Sequence, residues 1–433
     1  MEIIVAGAGH GGLVAAAKLA QNGHSVSVYE KNERSALGHD WEDRFTFDLL
    51  LKATGSDRLP DKIWRYRGDC AFVSPNYKTK VVINYTDENR QKIMWRKPLI
   101  DMLMSHAEDC RVSFIFNDEV LSPIISGEKV VGIRTASGDH YADLVIDAAG
   151  VFSPVRKNLP QSFGIENMPE RGDVFYAYRT YYEKKESSDM PKVPFEVYLC
   201  HAGEPGLSWC CTNSDSVDIL IGRIDPLKET ELNKHISNFK NTHPWTGDKI
   251  IHGGNRGIIP VRRPLALMTA DGYAAVGDSA FMTTPMNGMG IDLSILAGSL
   301  LADTVIRNNS ASAESLWDYN RDFHVLYGGN TAKSESLKNS LLNLPSDGVD
   351  FLFENAVIQA SDLSGAGQNT NLGSLLGKFV RGMKCPPYFF KVLGGIMNGS
   401  KLSKRLKNAP KNYNKDHILK WQKSVLDTVL KVK

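Results

Sequence analysis

The spacing of apolar residues changes rhythm several times along this chain. Ile3 to Ala6 is an apolar run, Gly7 to Gly12 a glycine turn, Leu13 to Gln21 an alanine-rich helical stretch closed by Asn22-Gly23, and Ser25 to Tyr29 an alternating β-branched segment. Together they predict one strand–turn–helix–strand unit. A helix is expected over 97–109, with Pro98 in its first turn, and short strands over 111–146 with turns at Ser126-Gly127 and Ser137-Gly138. Residues 172–224 are aromatic and alternating, the pattern of an antiparallel sheet separate from the first unit. A short strand at 273–276 precedes a turn and a long helix from about Met289 to Ile306. Beyond 330 helical segments are expected, broken by Pro345, Gly348 and a loop at Ser364–Gly373.

The expected architecture is α/β: a Rossmann-type nucleotide-binding domain, an inserted antiparallel β-sheet substrate domain and a C-terminal helical region. The expected boundaries are 1–171 and 255–330 for the two parts of the first domain, 172–254 for the sheet, and 331–433 for a basic helical end. A length of 433 residues suits such a multi-lobed chain.

Charge changes the picture only at that end. The net charge is +2, yet residues Lys378–Lys433 hold 14 lysines and arginines against Asp416 and Asp427. That segment therefore carries +12 and the remainder −10. Two readings stay open: a surface for an anionic partner such as membrane lipid, with the stretch Pro387–Leu393 amphipathic, or a solvated helical face. Nucleic acid is not among the expected partners, and the oligomeric state is left open. Six scattered cysteines suit a reducing cytoplasm, and no metal-ligand spacing occurs. No run of 18 apolar residues predicts a spanning helix, so a cytoplasmic protein, peripheral on the inner membrane face at most, is expected.

Candidate chemistry starts at the turn. Gly7, Gly9 and Gly12 fit GxGxxG, with Gly11 beside them. Such glycines allow the tight bend, let a pyrophosphate approach the backbone and let helix pack on strand. Glu30 ends the second strand 18 residues after Gly12, placed to accept ribose hydroxyls. His10 is expected to be a spectator at the turn.

Two further segments point the same way. Asp143 to Arg156 contains Asp147-Ala148-Ala149-Gly150 followed by Ser153 and Arg156, and Ala275 to Ile291 contains Gly277-Asp278, Pro285, Gly288, Met289, Gly290 and Ile291. With the glycine turn, these resemble the flavoproteins of the para-hydroxybenzoate hydroxylase fold, and within them the geranylgeranyl reductase family. The departure is Ala149, where that family usually has aspartate. The resemblance covers about the first three-quarters of the chain and implies non-covalent FAD. It implies adenosine and phosphate contacts from Gly7, Gly9, Gly11, Gly12, Glu30, Lys31 and Val120. It implies flavin and ribityl contacts from Arg96, Gly150, Gly277, Asp278, Pro285, Gly288, Met289, Gly290 and Ile291. Arg44 is a further candidate, with a surface salt bridge as its alternative.

On the substrate side, Leu207 to Thr212 followed by Gly222 is similar to the family's Y-x-W-x-F-P…G-x-G motif. Trp209 and Gly222 match; Leu207, Cys211 and Thr212 depart from it. Trp209 and Gly222 are thus implied substrate contacts, and Trp41 joins them from the cluster Gly38–Asp43. That cluster is either a substrate loop with acid/base potential or a helix N-terminal cap. No second nucleotide motif is visible, so electrons are expected from NAD(P)H visiting transiently or from a reduced carrier protein. The resemblance implies reduction of carbon–carbon double bonds in a hydrophobic, isoprenoid-like substrate by hydride from flavin N5. The alternatives are an aromatic monooxygenase of the same fold and a flavin-bearing binding or scaffold protein. No catalytic residue is identified at this level.

Overall fold

A computed structural model describes residues 1–60, 63–86, 92–186, 191–363 and 372–430. The first unit forms as expected. Its six-stranded sheet runs in the order Thr269–Ala270, Tyr273–Ala275, Leu144–Asp147, Glu2–Ala6, Ser25–Glu30 and Ser113–Phe116. All neighbours are parallel except the edge pair Thr269–Ala270 and Tyr273–Ala275. Its central strands are apolar on both faces because helices cover them. Helix His10–Gln21 packs against helices Arg96–Asp109 and Ile291–Asn308. The last contact is backbone to backbone: a Cβ on Gly298 would stand 2.1 Å from the Gly11 carbonyl oxygen.

The second large sheet has seven strands, ordered Thr246–Pro260, Val174–Lys184, Ser216–Arg223, Gly206–Thr212, Phe195–Leu199, Cys70–Val73 and Lys80–Ile83. It extends past residue 254 and recruits two strands from 70–83, through the parallel pairing of Phe195 with Cys70. Alternation gives it two faces. Ile219, Ile221 and Tyr182 pack beneath helix Glu229–Thr242, against Leu232 and Phe239. Leu220, Tyr181 and Ala177 face the other way, toward Trp41.

At the C-terminal end, helix Ala313–Phe323 passes through a wider turn, His324–Gly328, directly into helix Gly329–Leu342. Residue 330 therefore lies inside a continuous helical run, where a boundary was expected. Gly348 does not break a helix either. It lies within Ser346–Glu354, which Pro345 initiates from the N-cap position. Of the expected loop Ser364–Gly373, residues 364–371 lie outside the described residues; Leu372 already begins helix Leu372–Gly382. Helices Pro386–Lys407 and Lys415–Leu430 follow. Leu402, Leu406, Trp421, Val425 and Val429 join the main core, and the Trp421 ring meets Trp317 at 5.7 Å. The basic end is thus packed onto the body over its described residues. No helix among them is long and apolar enough to cross a membrane.

Candidate cofactor and substrate site

The glycine turn is tight because nothing larger fits. Gly7 has φ +90°, and its N–H donates to the Tyr29 carbonyl at 2.7 Å. A Cβ at Gly7 or Gly9 would stand 2.8 Å from the Ala148 oxygen, and one at Gly12 would stand 2.6 Å from the Ala148 Cβ. No side chain caps the helix that starts at His10. Glu30 braces the turn: its carboxylate accepts from the Ala8 N–H at 3.0 Å and from the Asn32 N–H and Nδ2 at 3.0 and 2.9 Å. Lys31 beside it is exposed. Val120 starts the strand after Asp118, whose N–H donates to the Glu30 carbonyl.

A charged cluster adjoins the turn. Arg96 is the first residue of its helix, and its Nε lies 2.5 Å from Asp43 Oδ2. Burial alone would raise the Asp43 carboxyl, but the Arg96 guanidinium outweighs it and holds that carboxyl below the usual range. Burial, reinforced by the Arg96 charge, pushes the His10 ring down to about 3, so it is neutral at pH 7. His10 Nε2 has no hydrogen-bond partner although it is buried. Burial raises Asp278 to about 6, with Arg96 opposing. His39 is lowered by burial and then by Arg96.

The segment expected to line a flavin, Pro285 to Ile291, folds as a closed turn. The Thr284 N–H donates to the Met289 carbonyl at 2.9 Å, and the Gly288 N–H to the Thr284 carbonyl at 2.9 Å. Gly288 has φ +67°, and Gly290 leads into helix Ile291–Asn308 without a side-chain cap. Arg44 Nη1 lies 3.4 Å from Met289 Sδ, so Arg44 faces this turn. Gly277 has φ +66° and Gly150 φ +86°, and a Cβ at Gly150 would meet nothing within 4 Å. The Gly150 N–H donates to Ser279 Oγ at 2.8 Å, and the Arg156 guanidinium ties the Ser279 and Val151 carbonyls together. Asp147 accepts from Ser153 Oγ and the Tyr273 hydroxyl, at 2.6 and 2.9 Å.

The helix-cap reading of Gly38–Asp43 is corrected. Glu42–Arg44 is a strand paired with Lys92–Trp95, and the next helix starts only at Phe47. The loop before it inserts Trp41 into the large sheet. Trp41 stacks on His39, with ring centroids 4.7 Å apart, and fits only because residue 257 is glycine: a Cβ there would stand 2.5 Å from Trp41 Cη2. Trp41 and Trp209 meet in one apolar cluster with Leu207, Tyr181, Leu220 and Ile259. Gly222 lies opposite Leu207 in register. Ile259 also touches the Pro285–Ile291 turn, since a Cβ on Gly288 would stand 2.9 Å from Ile259 Cγ2.

The sequence reading missed the charges beneath this cluster. Arg179 pairs with Asp218 at 2.9 and 2.7 Å, lies 5.1 Å from the Trp209 ring centre and donates to the Glu42 carbonyl at 2.5 Å. Arg65 pairs with Glu42. Burial holds the Tyr181 hydroxyl well above the usual phenol range, and its oxygen accepts from the Glu42 N–H at 2.8 Å. An arginine and an aspartate inside apolar strands were the available signal for the first pair; their partnership is 39 residues long-range.

The family model described as FAD binding domain matches residues 1–325. Digeranylgeranylglycerophospholipid reductase of Sulfolobus acidocaldarius is 22% identical over 99% of this chain and 97% of its own. The Haloferax volcanii protein of the same name is 26% identical over 81% of this chain and 91% of its own. Among solved structures, a geranylgeranyl bacteriochlorophyll reductase-like protein from Thermoplasma acidophilum superposes with TM-score 0.72 at 19% identity. It covers 91% of this chain and 99% of that one.

Proposed function

The chain belongs to the FAD binding domain family, and on that premise we propose that it is an oxidoreductase that saturates carbon–carbon double bonds of an isoprenoid lipid. One observation carries the substrate class. The Trp41, Tyr181, Trp209 and Leu220 cluster abuts the Gly288 turn through Ile259, and the Arg179 and Asp218 charges beneath it neutralise each other. An apolar chain loses little by entering such a place, whereas a charged substrate would need a free counter-charge.

The residues fit FAD. Gly7, Gly9, Gly11 and Gly12 would lie along its pyrophosphate, with Glu30, Lys31 and Val120 at the adenosine end. The unpartnered buried Nε2 of His10 and the Arg96 guanidinium offer donors beside an anionic group. Asp278, raised toward neutrality by burial, suits a ribityl hydroxyl partner. Gly150, Gly277, Arg44, Pro285 and Gly288 to Ile291 would meet the ribityl and ring portion. FAD, when bound, supplies hydride chemistry for the double bond. The Tyr181 hydroxyl, kept neutral by burial, braces the Glu42 backbone beside the apolar cluster. Trp41, Trp209, Leu207 and Gly222 orient the substrate and exclude water. Electrons would come from NAD(P)H visiting transiently or from a reduced carrier protein. The free cysteines suit a cytoplasmic setting.

The test is incubation of the FAD-loaded chain with a detergent-dispersed geranylgeranyl lipid and a chemical reductant without air. Product gaining two hydrogens per double bond supports the reading. Unchanged lipid from fully reduced protein contradicts it.

A further inference from the structure

Helices Leu372–Gly382 and Pro386–Lys407 contain no aspartate or glutamate, and the sequence holds none between Asp362 and Asp416. Their outward side chains are nevertheless not simply charged. Val380 is 64% exposed, Met397 53% and Phe390 51%, with Phe379, Met383 and Ile396 also exposed. Phe390, Met397, Lys401 and Lys404 fall at helical spacings of seven, four and three, so they share one side of the second helix. Phe379 and Phe390 both adjoin Phe389, with ring centroids at 5.6 and 5.8 Å, which joins the two helices into one surface. Exposed Lys384 and Lys391 flank it, each donating to a neutral oxygen, of Asn355 and Asn343 respectively. Neither is neutralised by a carboxylate among the described residues.

We propose that this elbow of two helices is an interfacial membrane-docking surface for anionic phospholipid, with Phe379, Val380, Met383, Phe390 and Met397 entering the headgroup boundary and Lys384, Lys391, Lys401 and Lys404 meeting lipid phosphates. It rests on the isoprenoid-lipid reading for its purpose, not for its grounds. Lysines without counter-charges select a negative partner. The large apolar side chains between them select a lipid interface over an acidic soluble protein, because they gain by leaving water at the acyl boundary. The elbow also sits where a lipid substrate is wanted. Phe389 and Val392 on its inner side pack in one cluster with Phe72 and Leu199 of the large sheet, and Phe72 packs in a second cluster with Trp209.

The experiment is co-sedimentation of the full-length, FAD-loaded chain with vesicles of phosphatidylcholine alone or with about a quarter phosphatidylglycerol. Neither substrate nor electron donor is present, so failure here leaves the reductase reading standing, and failure of that reading on detergent-dispersed lipid leaves this one standing. The wild type is expected to bind the anionic vesicles at least about tenfold more tightly than the neutral ones. Lys384→Glu with Lys391→Glu should weaken that binding by roughly fivefold or more per site, and Phe390→Ser with Met397→Ser by about tenfold even at low salt. All four positions are exposed or at the rim, and thermal unfolding checks that the variants fold. A dye on Phe390→Cys should shift to the blue on anionic vesicles. Equal binding to both vesicle types, serine variants that bind like wild type, an unshifted dye, or a lysine-dependent attachment to acidic protein without vesicle binding would each overturn the proposal.

Discussion

Arg96 and Asp43 form an ion pair of 2.5 Å that joins the start of a helix to the middle of the strand Glu42–Arg44, beside the glycine turn. Both side chains are largely buried, with exposures of 23% and 18%. Asp43→Asn removes the counter-charge and leaves Arg96 desolvated. The expected cost is about 2 kcal/mol of stability, from the loss of one charged hydrogen bond. FAD affinity should change further, because Arg96 becomes free to reorient. Arg96→Ala should weaken FAD binding more than Asp43→Asn does. Denaturant titration of the apoprotein and FAD titration separate the two effects.

Gly298 and Gly11 set how close two helices come. Gly298→Ala would place a Cβ 2.1 Å from the Gly11 oxygen, in backbone that cannot yield locally. The expected loss is about 3 kcal/mol, read as reduced soluble yield and earlier thermal unfolding. Gly150→Ala meets no atom and pays only for its φ of +86°, about 1–2 kcal/mol. Equal losses at the two positions would contradict the packing account.

Acid should destabilise the fold through its histidines. Burial lowers His10 and His201 to about 3 and His235 and His324 to about 4. The unfolded chain takes up protons near the ordinary histidine value, before the folded one does. Stability from these groups is therefore present above about pH 6.5 and is lost as pH falls toward 4. Asp278 acts oppositely: its raised value stabilises below the ordinary carboxylate range and loses that contribution as pH rises through about 6. Asp278→Asn should consequently stabilise the apoprotein at pH 7 while weakening FAD binding. Thermal unfolding of both proteins from pH 4.5 to 7.5 checks the sign.

Tyr181→Phe removes the oxygen that accepts from the Glu42 N–H and should cost about 1–2 kcal/mol of stability, read by denaturant titration. Trp209→Ala should raise KM for a long isoprenoid more than for a short one. Gly257→Val should displace Trp41, given the 2.5 Å separation, and mimic a Trp41 truncation. Steady-state kinetics with two chain lengths distinguishes these outcomes.

The local parts of this structure were legible in the sequence. The glycine turn and Glu30 depend on neighbours a few residues apart, so spacing announces them, whereas the Gly288 turn was read through the family resemblance. The large sheet was only half legible. Its aromatic strands alternate visibly, but the recruitment of 70–83 depends on Phe195 pairing with Cys70 across more than a hundred residues. The Gly38–Asp43 cluster misled in one of its two readings for a similar reason. Acids before a hydrophobic run look like a helix cap, and only the distant strand Lys92–Trp95 makes Glu42–Arg44 a strand. Near residue 330 the wider turn at His324–Gly328 keeps the helix continuous, a feature of backbone hydrogen bonding that the residue pattern does not display.

In the proposed reaction this chain holds FAD and passes its electrons to an unsaturated hydrocarbon. The most direct measurement is the visible spectrum of the purified protein, followed during reduction without air and then on addition of a geranylgeranyl lipid. Flavin bands near about 370 and 450 nm that bleach with reductant and return when the lipid is added are the expected result. A protein that stays colourless after incubation with FAD, or a reduced flavin that the lipid never reoxidises, would contradict it.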